Sequence, residues 1–275
     1  MSASAPVSAP PPVPPASAAP RAVSPLAGFF IDLGIAAVTL FGLSLVSGLL
    51  WGLYRGVVVG YANAQAGAGA PDASSVAASL GQPGALAQIL MALFATGGAA
   101  LLLYFWRRPA NAAERHASRQ ALRRPSTWGW TLLVATLIVL GSNGIAFLAK
   151  QVGVEPVPTN LALMQSAIAR FPLFLVLFAV VLAPAYEELL FRRVLFGRLW
   201  QAGRPGLGVV LSSLAFALIH EIGPAEIAQL WLVYGGMGAA FCWLYRRTGT
   251  LWAAITAHAL NNAVALAAMV FLGST

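Results

Sequence analysis

Residues 171–199 read FPLFLVLFAVVLAPAYEELLFRRVLFGRL, an apolar run that is interrupted by two adjacent glutamates. A helix of roughly 20 apolar residues crosses the ~30 Å hydrocarbon core of a bilayer, so this stretch is long enough to span it. A carboxylate at that depth costs at least ~2.5 kcal/mol unless it is paired or hydrated. The stretch therefore predicts a membrane-spanning helix in which Glu187 and Glu188 are retained for a function.

The composition of the whole chain predicts the same environment. Of the 275 residues, 59% are hydrophobic and only 9% are charged, and the mean hydropathy is +0.78. A soluble domain carries roughly 25% charged residues, so lipid is the expected solvent for most of this surface. The net charge of +8 does not indicate a nucleic-acid partner, because the arginines lie between apolar runs rather than on one face. The chain is predicted to be an all-α, polytopic integral membrane protein.

Apolar stretches long enough to cross a bilayer predict about seven transmembrane helices. Residues 1–24 are rich in proline and alanine and predict a disordered tail, because repeated prolines cannot hold a helix. A Gly/Ala/Ser-rich loop is predicted at Ala62–Pro83. The predicted spans are approximately Leu26–Tyr54, Gly84–Tyr104, Trp128–Ala149, Phe171–Leu199, Leu207–Ile222, Ala225–Tyr245 and Leu251–Leu272.

Positive charge is distributed unevenly between the predicted loops. With the amino terminus in the cytoplasm, 13 of the 16 basic residues lie in cytoplasmic segments, and only Arg55, Lys150 and Arg170 lie on the opposite side. Cytoplasmic loops of membrane proteins carry an excess of Lys and Arg. The bias predicts a multi-pass protein with a cytoplasmic amino terminus, and its Ala/Arg-rich composition with one lysine is typical of a bacterial chain, hence of the cell inner membrane.

Ionisable and polar side chains recur in the last four predicted spans. His220 and His258 lie within apolar runs. Counted at ~1.5 Å per residue from the cytoplasmic ends of their spans, Glu187 lies about 18 Å deep, His220 about 20 Å and His258 about 10 Å. These side chains are expected to converge in one cavity that is reached from the cytoplasm. A purely structural role, in which they hold helices together, is the alternative interpretation.

Helix geometry separates the roles of these residues. Glu188 and Arg192 are four residues apart and share a helix face, so they can form an ion pair. Glu187 is turned by roughly 100° from Glu188 and can face a different partner. His258 and Asn262 are also four residues apart and share a face of the last span.

The chemistry of the predicted site is narrowed by the motifs that the sequence lacks. A His-Glu-x-x-His zinc motif fails, because Pro224 stands where the second histidine would be, and no Gly-x-Ser-x-Gly sequence occurs. A carboxylate with imidazoles suits the activation of a water molecule, and His258 with Asn262 could donate to an oxyanion. Zinc bound by His220, His258 and a glutamate such as Glu188 remains an alternative.

Three short motifs occur in order at these residues: Glu-Glu-x-x-x-Arg at 187–192, Phe-x-x-x-His at 216–220 and His-x-x-x-Asn at 258–262. In these motifs the chain resembles the CAAX-protease and bacteriocin-processing (CPBP, Abi) family of intramembrane endopeptidases. The resemblance covers roughly Phe171 to Ala265. It divides the chain into the tail, amino-terminal helices at 25–159 and a peptidase core of four helices at 160–275.

The resemblance implies a role for each matched residue. Glu187 would be the water-activating base, helped by His220. His258 and Asn262 would stabilise the oxyanion, while Glu188 and Arg192 would support the site. The cofactor would be none or zinc, since family members are described in both ways. Arg193 departs from the family, which commonly has glycine there, and is interpreted as a lipid anchor or a modifier of access.

The implied activity is hydrolysis of a membrane-associated peptide, and a bacterial source does not favour a prenylated substrate. Two rivals remain from the sequence. A non-enzymatic membrane scaffold or bacteriocin-immunity partner could use the same fold. A proton-coupled transporter is disfavoured, because no broken helices occur at corresponding positions of two halves.

Overall fold

The computed structural model describes residues 23–67, 74, 80–155, 157–221 and 228–271, so the predicted tail at 1–24 lies almost wholly outside the described residues. The described residues form α-helices and no strands, which confirms the all-α prediction. The helices with defined bounds are α1 (Pro25–Gln65), α2 (Ala85–Arg107), α3 (Ala112–Leu122), α4 (Pro125–Gln151), α5 (Leu161–Arg170), α6 (Pro172–Gln201), α7 (Pro205–His220), α8 (Ala228–Thr248) and α9 (Leu251–Phe271).

The long apolar helices confirm a polytopic membrane protein. Within the described ranges, five helices are long and apolar enough to cross a bilayer, namely α1, α2, α4, α6 and α9. The other two predicted spans correspond to α7, which is apolar but has 16 residues, and to α8, which has 21 residues. The total of seven crossings therefore stays a prediction.

The first helix is longer than its apolar stretch predicts. Helix α1 continues through Gln65, so its 41 residues extend over about 60 Å, and the predicted loop at Ala62–Pro83 begins later than expected. No proline stands between Tyr54 and Gln65 to end the helix. Its buried residues all lie in the first third, namely Gly28, Phe29, Asp32 and Ala36.

Helices α6, α7, α8 and α9 pack together, as the prediction of a four-helix core requires. Two further helices join them, because α4 packs against both α8 and α9, and α2 packs against α6. A single cluster of buried apolar side chains includes residues from α1, α2, α4 and all four carboxyl-terminal helices. The amino-terminal helices are therefore part of the scaffold that holds the carboxyl-terminal ones in place.

Helix α6 contains two π-helical stretches, Leu177–Leu182 and Leu189–Phe196, on either side of the glutamate pair. Pro184 lies between them and cannot donate a backbone hydrogen bond. A wider turn accommodates a proline inside a helix, and π turns are frequent at functional sites. The glutamates thus lie on a short α-helical segment, Ala183–Glu188, between two locally widened turns.

The closest approach of α7 and α8 depends on Gly238. A Cβ atom added there would lie 2.9 Å from Ser213 Cα and 3.0 Å from Ser213 Cβ. Gly238→Ala is expected to destabilise the protein by about 1–3 kcal/mol, because α7 backbone would have to move. Thermal unfolding in detergent tests this, with Gly235→Ala on the same helix as the control, since nothing lies within 4 Å of that position. Equal melting temperatures for the two variants would contradict the prediction.

Candidate active site

The side chains of Glu187, His220 and His258 meet between α6, α7 and α9. Glu187 Oε2 lies 3.6 Å from His220 Nε2 and 3.9 Å from His258 Nε2. One carboxylate oxygen is thus shared by two imidazole nitrogens. The exposed fraction of the side chain is 15% for Glu187 and 18% for His220, so a small molecule can reach them. His258 is buried. The structure therefore brings together three of the four residues predicted to be catalytic.

The His220 ring is held so that its Nε2 atom is a hydrogen-bond acceptor. Its Nδ1 atom lies 2.8 Å from the Phe216 carbonyl oxygen, one turn earlier on α7. A carbonyl only accepts, so Nδ1 carries the hydrogen and Nε2 of the neutral ring carries the lone pair. The ring is flanked by Phe216 at 4.3 Å and Tyr234 at 4.5 Å between ring centroids.

The His258 ring is oriented in the same way by Glu188. His258 Nδ1 lies 2.9 Å from Glu188 Oε1, and both side chains are buried. Glu188 also faces Arg192, and its carboxylate oxygen accepts the Nδ1 hydrogen, which leaves the lone pair on Nε2. The Phe241 ring stacks on His258 at 4.9 Å between centroids, with 18° between the planes. The two adjacent glutamates therefore contact opposite nitrogens of one imidazole.

This arrangement directs three hydrogen-bond acceptors at one point. Glu187 Oε2 is buried and has no hydrogen-bond donor among the described side chains. Two nitrogen lone pairs and a carboxylate oxygen repel one another unless they share a hydrogen. A water molecule has two hydrogens to donate to such a cluster and retains lone pairs on its own oxygen. The geometry therefore suits the binding and polarisation of one water.

Arg192 is fully buried beneath the glutamate that it pairs with. Its Nε atom lies 2.9 Å from Glu188 Oε2, and neither side chain is exposed. The N–H groups of Arg192 do not point directly at an acceptor in the described part of the chain, so the contact with Glu188 is an ion pair rather than a directed hydrogen bond. The guanidinium instead lies against aromatic rings, 4.3 Å from the centroid of Phe216 and 5.1 Å from that of Phe241. Cation–π attraction stabilises it there.

Comparisons with known proteins find similarity in the part of the chain that contains this site. Residues 169–264 match the model of a family described as Type II CAAX prenyl endopeptidase, Rce1-like. This part of the chain is similar to that family. The Rce1-like region contains all the predicted site residues, from Glu187 to Asn262, which confirms the resemblance carried by the three motifs.

Two curated proteins are each similar to about half of the chain. YdiL of Bacillus subtilis (strain 168), which is named as a membrane peptidase, is 32% identical over 127 residues, which are 46% of this chain and 50% of YdiL. The membrane-embedded CAAX protease MroQ of Staphylococcus aureus (strain USA300) is 29% identical over 140 residues, 48% of this chain and 54% of MroQ. The chain thus spans about half the length of these relatives. No solved structure was found to match it.

Asn262 lies in the Rce1-like region but contacts the backbone of α6 rather than Glu187, His220 or His258. Its amide Nδ2 donates to the Ala179 carbonyl oxygen at 2.9 Å. In a π turn this carbonyl would accept from the residue five positions later, which is Pro184 and has no N–H. Asn261 donates to Asn262 Oδ1 at 3.3 Å and orients the amide. The structure therefore assigns Asn262 a contact that joins α9 to α6, and its oxyanion role stays a prediction.

The three side chains predicted as possible zinc ligands do not all face one point in the structure. Glu188 is bound to the Nδ1 side of His258 and to Arg192, whereas His258 Nε2 faces Glu187. Among the described residues, no group of three or more His, Cys, Asp or Glu side chains is placed to hold a metal ion. A tetrahedral zinc site needs three protein ligands at about 2.0–2.3 Å. Glu188 does not face the Nε2 atoms of His220 and His258, so this set of three is not gathered around one metal position, and bound zinc stays a prediction.

Arg193 is not a lipid anchor, because it is buried. Its guanidinium forms a bidentate pair with Glu114 on α3, with NH1–Oε1 at 2.9 Å and NH2–Oε2 at 2.7 Å, and it also donates to two backbone carbonyls. The hydrogen bonds from Arg193 lower the pKa of Glu114 from 4.5 to about 2. Arg193 thus fixes α3 against the Rce1-like region.

Two residues beside the site lie outside the three sequence motifs. Tyr234 of α8 stacks on His220 with 26° between the rings. Glu221 is buried, and its Oε1 atom accepts from the Thr159 backbone N–H at 3.2 Å, which joins the end of α7 to the segment before α5. The position of Glu221 directly after His220 could have been noticed in the sequence. The position of Tyr234 could not, because it depends on how α8 packs.

Proposed function

We propose that the chain is an intramembrane endopeptidase that hydrolyses a peptide bond of a membrane-associated peptide or protein. The observation that carries the proposal is one glutamate oxygen placed between two imidazole Nε2 atoms. The match of residues 169–264 to an endopeptidase family supports it. The protein is proposed to act in the bacterial inner membrane, with its amino terminus in the cytoplasm.

The proposed reaction begins with a water molecule held by Glu187 and His220. Its oxygen attacks the carbonyl carbon of the substrate, and its proton passes to Glu187 Oε2. The C–O bond forms as the carbonyl becomes a tetrahedral oxyanion. The C–N bond then breaks, and Glu187 returns the proton to the leaving amine. Water, carboxylate and amide therefore account for every atom and proton of the hydrolysis.

His258 is proposed to stabilise the oxyanion. Glu187 Oε2 lies 3.9 Å from His258 Nε2, so the proton that Glu187 takes from water can be shared with Nε2, which then donates it to the oxyanion while Glu188 holds the Nδ1 hydrogen. The same proton returns through Glu187 to the leaving amine when the C–N bond breaks. Asn262 has a second amide hydrogen beyond the one bound to Ala179 and could assist. The Glu188–Arg192 pair keeps the imidazole oriented throughout the reaction.

Hydrolysis in ¹⁸O-labelled water tests the proposed function. The purified protein is reconstituted in lipid vesicles with a set of membrane-associated peptides, both unmodified and prenylated. The expected product has one ¹⁸O atom in its new carboxyl group, detected by mass spectrometry. No labelled cleavage of any peptide, from a correctly folded preparation, would favour the non-enzymatic scaffold or immunity partner.

A chelator added to the same assay is expected to leave cleavage unchanged. Loss of cleavage that added zinc restores would support the metal alternative.

A further inference from the structure

Four arginines meet away from the active site, where the ends of α2 and α6 approach the start of α1. They are Arg107, Arg108, Arg193 and Arg198, and we call them, with Asp32, Glu114 and Gln201, the arginine junction. The junction lies at the ends of two apolar spans, next to the exposed Trp106. Tryptophan is enriched where membrane helices reach the headgroup layer.

Three of the arginines already form ion pairs with the two carboxylates of the junction. Asp32 is fully buried and binds Arg107 Nε at 2.8 Å and Arg198 NH2 at 2.6 Å. Glu114 binds Arg193 in a bidentate pair. A Cβ atom on Gly28 would lie 2.7 Å from Arg198 NH1, so this glycine allows the arginine to reach Asp32 across α1.

Arg108 is the junction arginine that forms no ion pair with either carboxylate among the described residues. Its NH2 group donates to the neutral amide oxygen of Gln201, and its buried Nε has no hydrogen-bond partner among the described residues. Burial and the nearby guanidiniums of Arg198 and Arg193 lower the pKa of Arg108, although Asp32 and Glu114 oppose this. With four cations and two anions, the junction has a net charge of +2.

We propose that the arginine junction binds the phosphate group of an anionic membrane lipid through Arg108. The chemistry is that of a phosphate oxyanion, whose oxygens accept the hydrogens of a planar guanidinium. A lipid rather than free phosphate is the proposed source, because the junction lies at the end of membrane-spanning helices. The bound phosphate would compensate the excess charge.

The proposed lipid would act on the helix that carries the active site. Arg198 and Gln201 both belong to α6, as do Glu187 and Glu188. Gln201 also donates to Glu114 Oε1 at 3.2 Å, so Arg108, Gln201 and Glu114 form one connected chain. A phosphate on Arg108 would therefore stabilise the attachment of α6 to α1, α2 and α3.

The test compares thermal unfolding in nanodiscs of phosphatidylglycerol and of phosphatidylcholine. The wild-type protein is expected to melt about 5 °C higher in the anionic lipid. Arg108→Gln should lose most of that difference. Arg119→Gln is the matched control, because Arg119 is an exposed arginine of α3 outside the junction, and it should retain the difference. Equal losses in both variants would overturn the proposal, as would equal melting of the wild type in the two lipids.

A second measurement covers the case in which Arg108→Gln does not fold. The wild-type protein in detergent is titrated with short-chain phosphatidylglycerol, short-chain phosphatidylcholine or inorganic phosphate. A saturable rise of the melting temperature with the anionic lipid alone is expected. An equal rise with phosphatidylcholine would overturn the proposal. A rise with inorganic phosphate of the same size would assign the site to free phosphate and overturn the lipid source.

Discussion

The Glu187→Gln variant is expected to lose about 10²–10⁴-fold of peptide hydrolysis while it folds as well as the wild type. Glutamine has the same shape but cannot accept a proton from water. Stability should be kept, because Glu187 Oε2 has no hydrogen-bond donor to lose among the described residues and the side chain is partly exposed. The measurement is the rate of labelled peptide cleavage, together with the melting temperature of each preparation.

The matched control for this variant is Glu155→Gln. Glu155 is an exposed acid on another segment, paired at 3.3 Å with the exposed Lys150, so its replacement should change neither rate nor melting temperature. Cleavage by Glu187→Gln at the wild-type rate would contradict the assignment of Glu187 as the base. Loss of folding in that variant would contradict the stability argument.

The Glu188→Gln variant, unlike Glu187→Gln, is expected to lose about 3–5 kcal/mol of stability in addition to activity. The neutral amide leaves Arg192 as an unpaired cation that is completely enclosed by protein. Aromatic contacts with Phe216 and Phe241 cannot replace a carboxylate. Denaturation in detergent, followed by the loss of helical signal, measures the effect.

The double variant Glu188→Gln/Arg192→Met tests why Glu188→Gln loses stability. The loss comes either from the unpaired buried charge of Arg192 or from the loss of one contact. Removing both charges should recover much of the stability, because an apolar replacement of a buried pair is often neutral or stabilising. Hydrolysis should remain low, since His258 would lose the carboxylate that compensates its positive charge. A double variant less stable than Glu188→Gln alone would contradict this explanation.

The separation of the two adjacent glutamates could be predicted from helix geometry alone. Residues four apart share a face and neighbours are turned by about 100°, so Glu188 had to face Arg192 while Glu187 was free for His220. The convergence with His258 also followed, because ionisable groups in apolar spans require partners. Local periodicity was sufficient for these contacts.

The partners of Asn262 and Arg193 could not be predicted in this way. The bond from Asn262 to Ala179 depends on a π turn, which has no reliable signature in the sequence. Arg193 appeared to face lipid because its partner, Glu114, lies 79 residues earlier on a short helix between spans. The packing of α2 and α4 on the core was missed for the same reason, since contacts between distant segments leave no local pattern.

Pro184 has a consequence for how the last helix is attached. Pro184 removes one backbone hydrogen bond from α6. The Ala179 carbonyl oxygen that would have accepted it accepts instead from Asn262 of α9. An ordinary residue at position 184 would supply its own amide hydrogen and compete for that oxygen. The hydrogen bond that α6 lacks thus leaves an acceptor that holds α9 in place. Pro184 is as necessary to this contact as Asn262, which supplies the donor.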